Sequence, residues 1–163
     1  MALSHEVHAF VRDIIALLAE RNETLSTAES LTAGGLSNAL TSQPGASHVF
    51  LGGVIAYQNE VKIRELGVAP QLIADHSVVS QEVAQAMAQG AIAKFGSTWA
   101  LATTGIAGPG PVDGIEPGTV WVAVAGPVSE TMELALSGDR EAVRSASVSS
   151  AIATFARILR HRK

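Results

Sequence analysis

Leu25-Ser26-Thr27-Ala28-Glu29-Ser30-Leu31-Thr32-Ala33-Gly34-Gly35 joins an apolar extended segment to a helical one. A short strand is predicted at Leu25 to Ala28. Leu31 to Leu40 reads as a helix, closed by the turn signal Gln43-Pro44-Gly45. The same alternation extends in both directions. Upstream, Val7, Phe10, Val11, Ile14, Ile15 and Leu18 recur at helical spacing, which predicts an amphipathic helix over residues ~4–21. Downstream, Val49 to Tyr57 is an apolar run of the length and flanks expected of a buried strand, with Gly52 and Gly53 inside it. Asn59 is read as the cap of a short helix through Leu66, ended by Gly67.

Ser80 is read as the cap of a further helix, with Val83, Met87, Ala91 and Phe95 on one face. Trp99 to Thr103 and Thr119 to Ala125 read as strands, separated by a loop over residues 104–118 dense in Gly and Pro. After the turn Gly126-Pro127, Glu130 to Leu136 runs back as a hairpin partner. Asp139 starts the last helix, with Val143, Ala151, Phe155, Ile158 and Leu159 facing inward. Helices alternating with strands, plus a late hairpin, predict one α/β domain over 1–163: a three-layer α/β/α sandwich on a mixed sheet.

Composition narrows the function. The chain has 163 residues, 47% of them hydrophobic and 16% charged, enough apolar content for a sizeable core. The net charge of −4 provides no basic face for nucleic acid; the basic run Arg157 to Lys163 reads as a solvated helix end. There is no cysteine, which removes disulfides, thiolate metal sites and cysteine nucleophiles. Residues Met1 to Glu6 lack a signal core, and no apolar stretch reaches the ~20 residues of a membrane span. A cytoplasmic protein without membrane or nucleic-acid partners is the expectation. His5, His8, His48, His76 and His161 are scattered, so neither a metal site nor a cofactor is expected.

Four segments could carry chemistry. Ser30 stands where a strand passes into a helix, close to amides left free at the helix start; it either caps the helix or projects as a nucleophile. Tyr57, the only tyrosine, ends a strand, and Lys62 falls at about the third position of the next helix. A cation there opposes the helix dipole, so Lys62 is either a base or a solvated surface lysine. Thr103 to Pro111 matches neither a dinucleotide fingerprint nor a Walker loop; it is an anion nest, a pocket wall or a plain loop. Arg140 and Arg144 share a helix face, and Arg140 sits at the wrong end of its helix for a cation. A phosphate would account for that, as would pairing with Asp139 or Glu141.

In combination these segments resemble the C-terminal domain of CinA proteins. The match is carried by Thr27-Ala28-Glu29-Ser30, Pro44-Gly45-Ala46-Ser47, Gly53 through Lys62, Thr104-Gly105-Ile106-Ala107-Gly108-Pro109, Gly118-Thr119-Val120 and Ser137-Gly138-Asp139-Arg140. The resemblance covers nearly the whole chain and includes stand-alone nicotinamide-mononucleotide deamidases. It implies hydrolysis of the carboxamide of that nucleotide to nicotinate mononucleotide and ammonia, with Ser30 as nucleophile and Tyr57 with Lys62 handling protons. Glu29, Thr32, Gly34, Thr104, Gly105, Gly108, Arg140 and Arg144 are then expected at the substrate, and the protein as a homodimer. The family often has Ser-Cys-Thr-Gly-Gly after the glutamate, where this chain has Leu31 and Ala33 in place of the cysteine and the first glycine. The alternatives are an amidase for another pyridine nucleotide and a non-catalytic nucleotide- or partner-binding domain of the same fold.

Overall fold

The computed structural model describes residues 3–162. Met1, Ala2 and Lys163 lie outside the described residues, and with them the extreme ends of the leader and basic-tail readings. Helix α1 (His5–Arg21) starts where the Ser4 hydroxyl accepts from the Val7 amide at 3.2 Å, and of the predicted stripe it buries Val7, Val11, Ile14, Ile15 and Leu18, with Phe10 partly buried. Strand β1 (Leu25–Glu29) leads through a turn to α2 (Gly35–Leu40), followed by a 3-10 turn (Ala46–His48) and β2 (Phe50–Ile55). Then come α3 (Asn59–Leu66), α4 (Pro70–His76), α5 (Gln81–Phe95), β3 (Trp99–Gly105), β4 (Thr119–Ala125), β5 (Glu130–Ala135) and α6 (Arg140–His161).

The five strands form one sheet in the order β2-β1-β3-β4-β5. β1 pairs in parallel with both β2 and β3, while β3–β4 and β4–β5 are antiparallel, so the sheet is mixed as the hairpin signal predicts. Successive side chains alternate across the sheet, and the two faces differ in size. Leu25, Trp99, Leu101, Val120, Val122 and Val124 point toward α1, α2 and α6. Ala28, Ala100, Ala102, Ala123 and Ala125 point toward α5 and α3. A methyl-lined face lets a helix settle close, and α5 meets it with Ala84, Ala88 and Ala91. Glycine does the same between helices: a Cβ on Gly90 would stand 2.0 Å from the Leu66 carbonyl oxygen, so α3 and α5 touch backbone to backbone there.

Four expectations change. Asn59 is the first residue of α3, whose cap is Gln58 without a side-chain bond. β2 is an edge strand with alternating exposure, Leu51 and Ile55 being 47% and 55% exposed, rather than a fully buried one. Helix α2 begins at Gly35, four residues after the predicted start, because residues 30–34 form a separate turn. α4, which starts at Pro70 in the position prolines favour, was not foreseen. Among the described residues no helix is long and apolar enough to cross a membrane.

The sheet also locates the site. The C-terminal ends of β1, β2 and β3 share one edge, and the hairpin brings the start of β4, the end of β5 and the first turn of α6 to it. From that edge β1 is followed by β2 on one side and β3 by β4 on the other. The gap between the ends of β1 and β3 is therefore the crevice where open α/β sheets bind ligands.

Candidate active site

Ser30 occupies that crevice. Its amide donates to the Thr103 carbonyl at 3.0 Å, tying it to the end of β3, and its carbonyl accepts from the Ala33 amide at 3.0 Å. It does not cap α2. The helix starts five residues later with Gly34 as its cap, and the Ser30 hydroxyl turns instead to Lys62, with Nζ 3.0 Å from Oγ.

Lys62 is the fourth residue of α3 and only 1% exposed. Side chains on a helix slant toward its N-terminus, so the amine reaches back to the sheet edge. There it donates to the Ala56 carbonyl at 2.8 Å and the Tyr57 carbonyl at 3.2 Å. No carboxylate pairs with it among the described residues. Burial is what lowers its pKa, to about 8, since the charged form loses water and gains no countercharge. The geometry suits both protonation states: an ammonium donates all three bonds, and a neutral amine keeps the two carbonyls and accepts from the serine hydroxyl.

Tyr57 meets Lys62 through its main chain only. Its ring is half exposed, and its hydroxyl accepts from Arg140 Nη2 at 2.8 Å. Arg140 Nη1 donates to the Gly108 carbonyl at 2.7 Å, so this first residue of α6 bridges Tyr57 and the loop after β3. Asp139 caps α6 through the Ala142 amide at 2.9 Å and is not the partner of Arg140. Ser30, Tyr57, Lys62, Thr104, Gly105 and Arg140 share the lining of a cavity of about 200 Å³, and Gly108 lines a smaller one of about 130 Å³ that adjoins it at Tyr57 and Arg140. Asn59 and Ile106, from the candidate segments, also line the first cavity, as do Val78, Val79 and Val112, which sequence reasoning did not single out. Thr104 Oγ1 donates to the Val78 carbonyl at 2.9 Å, so the residues before the Ser80 cap lie beside the loop after β3, a tertiary contact that no local pattern announces.

The other implied residues lie elsewhere. Thr32, Gly34 and Arg144 line a separate cavity of about 410 Å³ between the turn and α6. It is the larger of the two, and the Ser30–Lys62 pair lies in the smaller one. Arg144 is half-buried; Nε donates to the Leu31 carbonyl at 3.0 Å, and Nη1 stands 3.6 Å from Glu141. Glu29 is fully buried and lines neither cavity. Its Oε1 accepts from Thr32 Oγ1 at 2.7 Å and the Leu36 amide at 2.8 Å; its Oε2 accepts from the Ser37 amide at 3.0 Å and Ser37 Oγ at 2.6 Å. Among the described residues no three His, Asp or Glu side chains gather as a metal-holding cluster.

Residues 7–159 match the CinA C-terminal domain. A CinA-like protein of Synechocystis sp. is 50% identical over 127 residues, which make up 77% of this chain and 30% of that protein. A CinA-like protein of Frankia casuarinae is 43% identical over 147 residues, 90% of this chain and 34% of that one. The chain thus spans about a third of the length of these relatives. Two crystal structures superpose with a TM-score of 0.92. The competence damage-inducible protein A of Klebsiella pneumoniae is 34% identical, covering 96% of this chain and 99% of that one. The competence/damage inducible protein CihA of Agrobacterium tumefaciens is 31% identical, covering 99% and 100%.

Proposed function

The chain belongs to the CinA C-terminal domain family, and from that premise we propose that it is an amidohydrolase converting nicotinamide mononucleotide to nicotinate mononucleotide and ammonia. One observation carries the reading: a buried lysine with no countercharge, its pKa lowered to about 8, lies 3.0 Å from the hydroxyl of a serine in the sheet crevice. A binding domain has no need of that pair. An amidase does, because an amide yields only to an activated nucleophile, with its oxyanion stabilised and its leaving nitrogen protonated.

In the proposed cycle neutral Lys62 takes the Ser30 proton as Oγ attacks the carboxamide carbon. Lys62, now an ammonium, gives that proton to the departing nitrogen, and ammonia leaves. The acyl group remains on Ser30. A water molecule, deprotonated by Lys62 in turn, hydrolyses the ester to the carboxylate and restores the serine. The amides at the start of α2 are taken by Glu29 and Thr32, so an oxyanion contact would fall to amides earlier in the turn after Ser30. Tyr57 and Arg140 close one side of the cavity, and a phosphate could replace the contacts of Arg140 to Tyr57 and Gly108.

The test compares ammonia release from nicotinamide mononucleotide, nicotinamide riboside and free nicotinamide by the purified chain. Turnover of the mononucleotide alone supports the reading. Equal turnover of the riboside removes the phosphate from it, and no turnover of any of the three removes the activity.

A further inference from the structure

We propose that Glu29 is the positioning residue of Ser30, holding the nucleophile in place through the turn without touching substrate; the inference rests on the reading of Ser30 as nucleophile. The turn between β1 and α2 contains two consecutive left-handed residues, Ala33 at φ +47° and Gly34 at φ +94°. Left-handed backbone costs a non-glycine residue about 1–2 kcal/mol, and it persists where the surroundings over-determine it. Glu29 supplies that determination, because its carboxylate grips both sides of the turn. Within the turn it accepts from the Thr32 hydroxyl, and beyond it from the Leu36 and Ser37 amides that open α2. Thr32 Oγ1 also stands 2.8 Å from Thr103 Oγ1, so the grip extends to β3, the strand that fixes the Ser30 amide.

Ser30 and Leu31 are thus strung between two anchors, the β3 carbonyl on one side and the Glu29 network on the other. Their freedom to drift from Lys62 is small. A misplacement of about 1 Å between reacting groups is enough to cost roughly a hundredfold in rate. A carboxylate suits this position because all its neighbours here are donors. An amide of the same size would turn an NH2 toward two of them.

The test compares wild type, Glu29→Gln and Thr32→Val in three readouts: steady-state ammonia release, thermal melting, and the rate at which Ser30 displaces fluoride from a phosphonofluoridate. The last forms the Oγ–P bond and breaks P–F, and it needs no nucleotide. In Glu29→Gln, kcat should fall about a hundredfold with KM changed less than about threefold, and phosphonylation should slow by a similar factor. Thr32→Val cuts one leg of the network and should cost about tenfold in both rates. Phosphonylation within about threefold of wild type in Glu29→Gln, whatever its melting temperature, overturns the proposal. So does a rise in KM with kcat unchanged, which marks a substrate contact. If Glu29→Gln does not fold, the same criteria apply to Thr32→Val. A wild type that labels at Ser30 faster than the variants but releases no ammonia keeps the positioning role and overturns the substrate reading. A wild type inert in both overturns both.

Discussion

Two buried ionisable side chains flank Ser30, and they are used in opposite ways. Glu29 meets four donors within 3.0 Å, so the protein supplies its anion with the solvation that water would give. Lys62 is buried as deeply, yet among the described residues it meets two carbonyls and a hydroxyl and no opposite charge. A buried charge that is fully solvated by the fold is structure. One that is incompletely compensated has its protonation state close to balance, which is what proton transfer needs.

The largest expected effects break the reactive side of this contrast. Ser30→Ala and Lys62→Arg should each lower kcat for ammonia release by about 10³ or more, since Arg keeps the charge but cannot accept a proton near neutrality. Stopped or coupled ammonia assays on folded variants check this; a Lys62→Arg enzyme with near wild-type turnover would mean that Lys62 supplies charge alone. In wild type the activity should rise with pH through about 8 and level off above, as Lys62 loses its proton.

Stability carries the matching signature. Lys62 has a folded pKa below its unfolded value, so between about 8 and 10.5 the unfolded chain holds the extra proton. Stability gained from this group therefore rises with pH across that window and is lost as pH falls toward 8. The rise should be absent from Lys62→Met and so stand out in the difference between wild type and that variant, in urea titrations at successive pH values.

The satisfied side breaks differently. Glu29→Ala leaves the Thr32 and Ser37 hydroxyls and two amides without their acceptor, at about 3–5 kcal/mol of stability in all. For a domain of this size that lowers Tm by roughly 10 °C, and a melting curve reads it directly. A loss under about 1 kcal/mol would mean that water replaces the carboxylate and that the site is less sealed than its burial indicates.

Smaller effects sharpen the contrast. Arg140→Ala removes the bridge between Tyr57 and Gly108 and should raise KM for the mononucleotide about tenfold while leaving kcat nearly unchanged, about 1.4 kcal/mol of binding. Ala33→Gly relieves the left-handed residue but loosens the unfolded chain, so the two terms nearly cancel and stability should shift by less than about 1 kcal/mol.

Much of this was legible without coordinates, for local reasons. The stripe from Val7 to Leu18, the Ser80 and Asp139 caps and the hairpin about Gly126-Pro127 depend on short-range periodicity and side-chain-to-backbone bonds, and all appear where predicted. The motif order placed Ser30, Tyr57, Lys62, Thr104 and Arg140 in one group, and they share one cavity. What misled was also local. A serine before a helical pattern looks like a cap. The edge position of β2 and the delayed start of α2 follow from pairings between residues far apart in the chain, to which periodicity is blind.

The sequence by itself determined most of the elements and the mixed sheet, and singled out Ser30 and Lys62. Only the tertiary structure decided their surroundings: that Lys62 is buried without a countercharge among the described residues, that Tyr57 turns its hydroxyl to Arg140, and that Glu29 closes on the turn after Ser30. Propensity acts over a few residues, whereas solvation of a charge is set by every group that surrounds it. Those groups come from β1, α2, α3, β3 and α6, brought together at one sheet edge by folding alone.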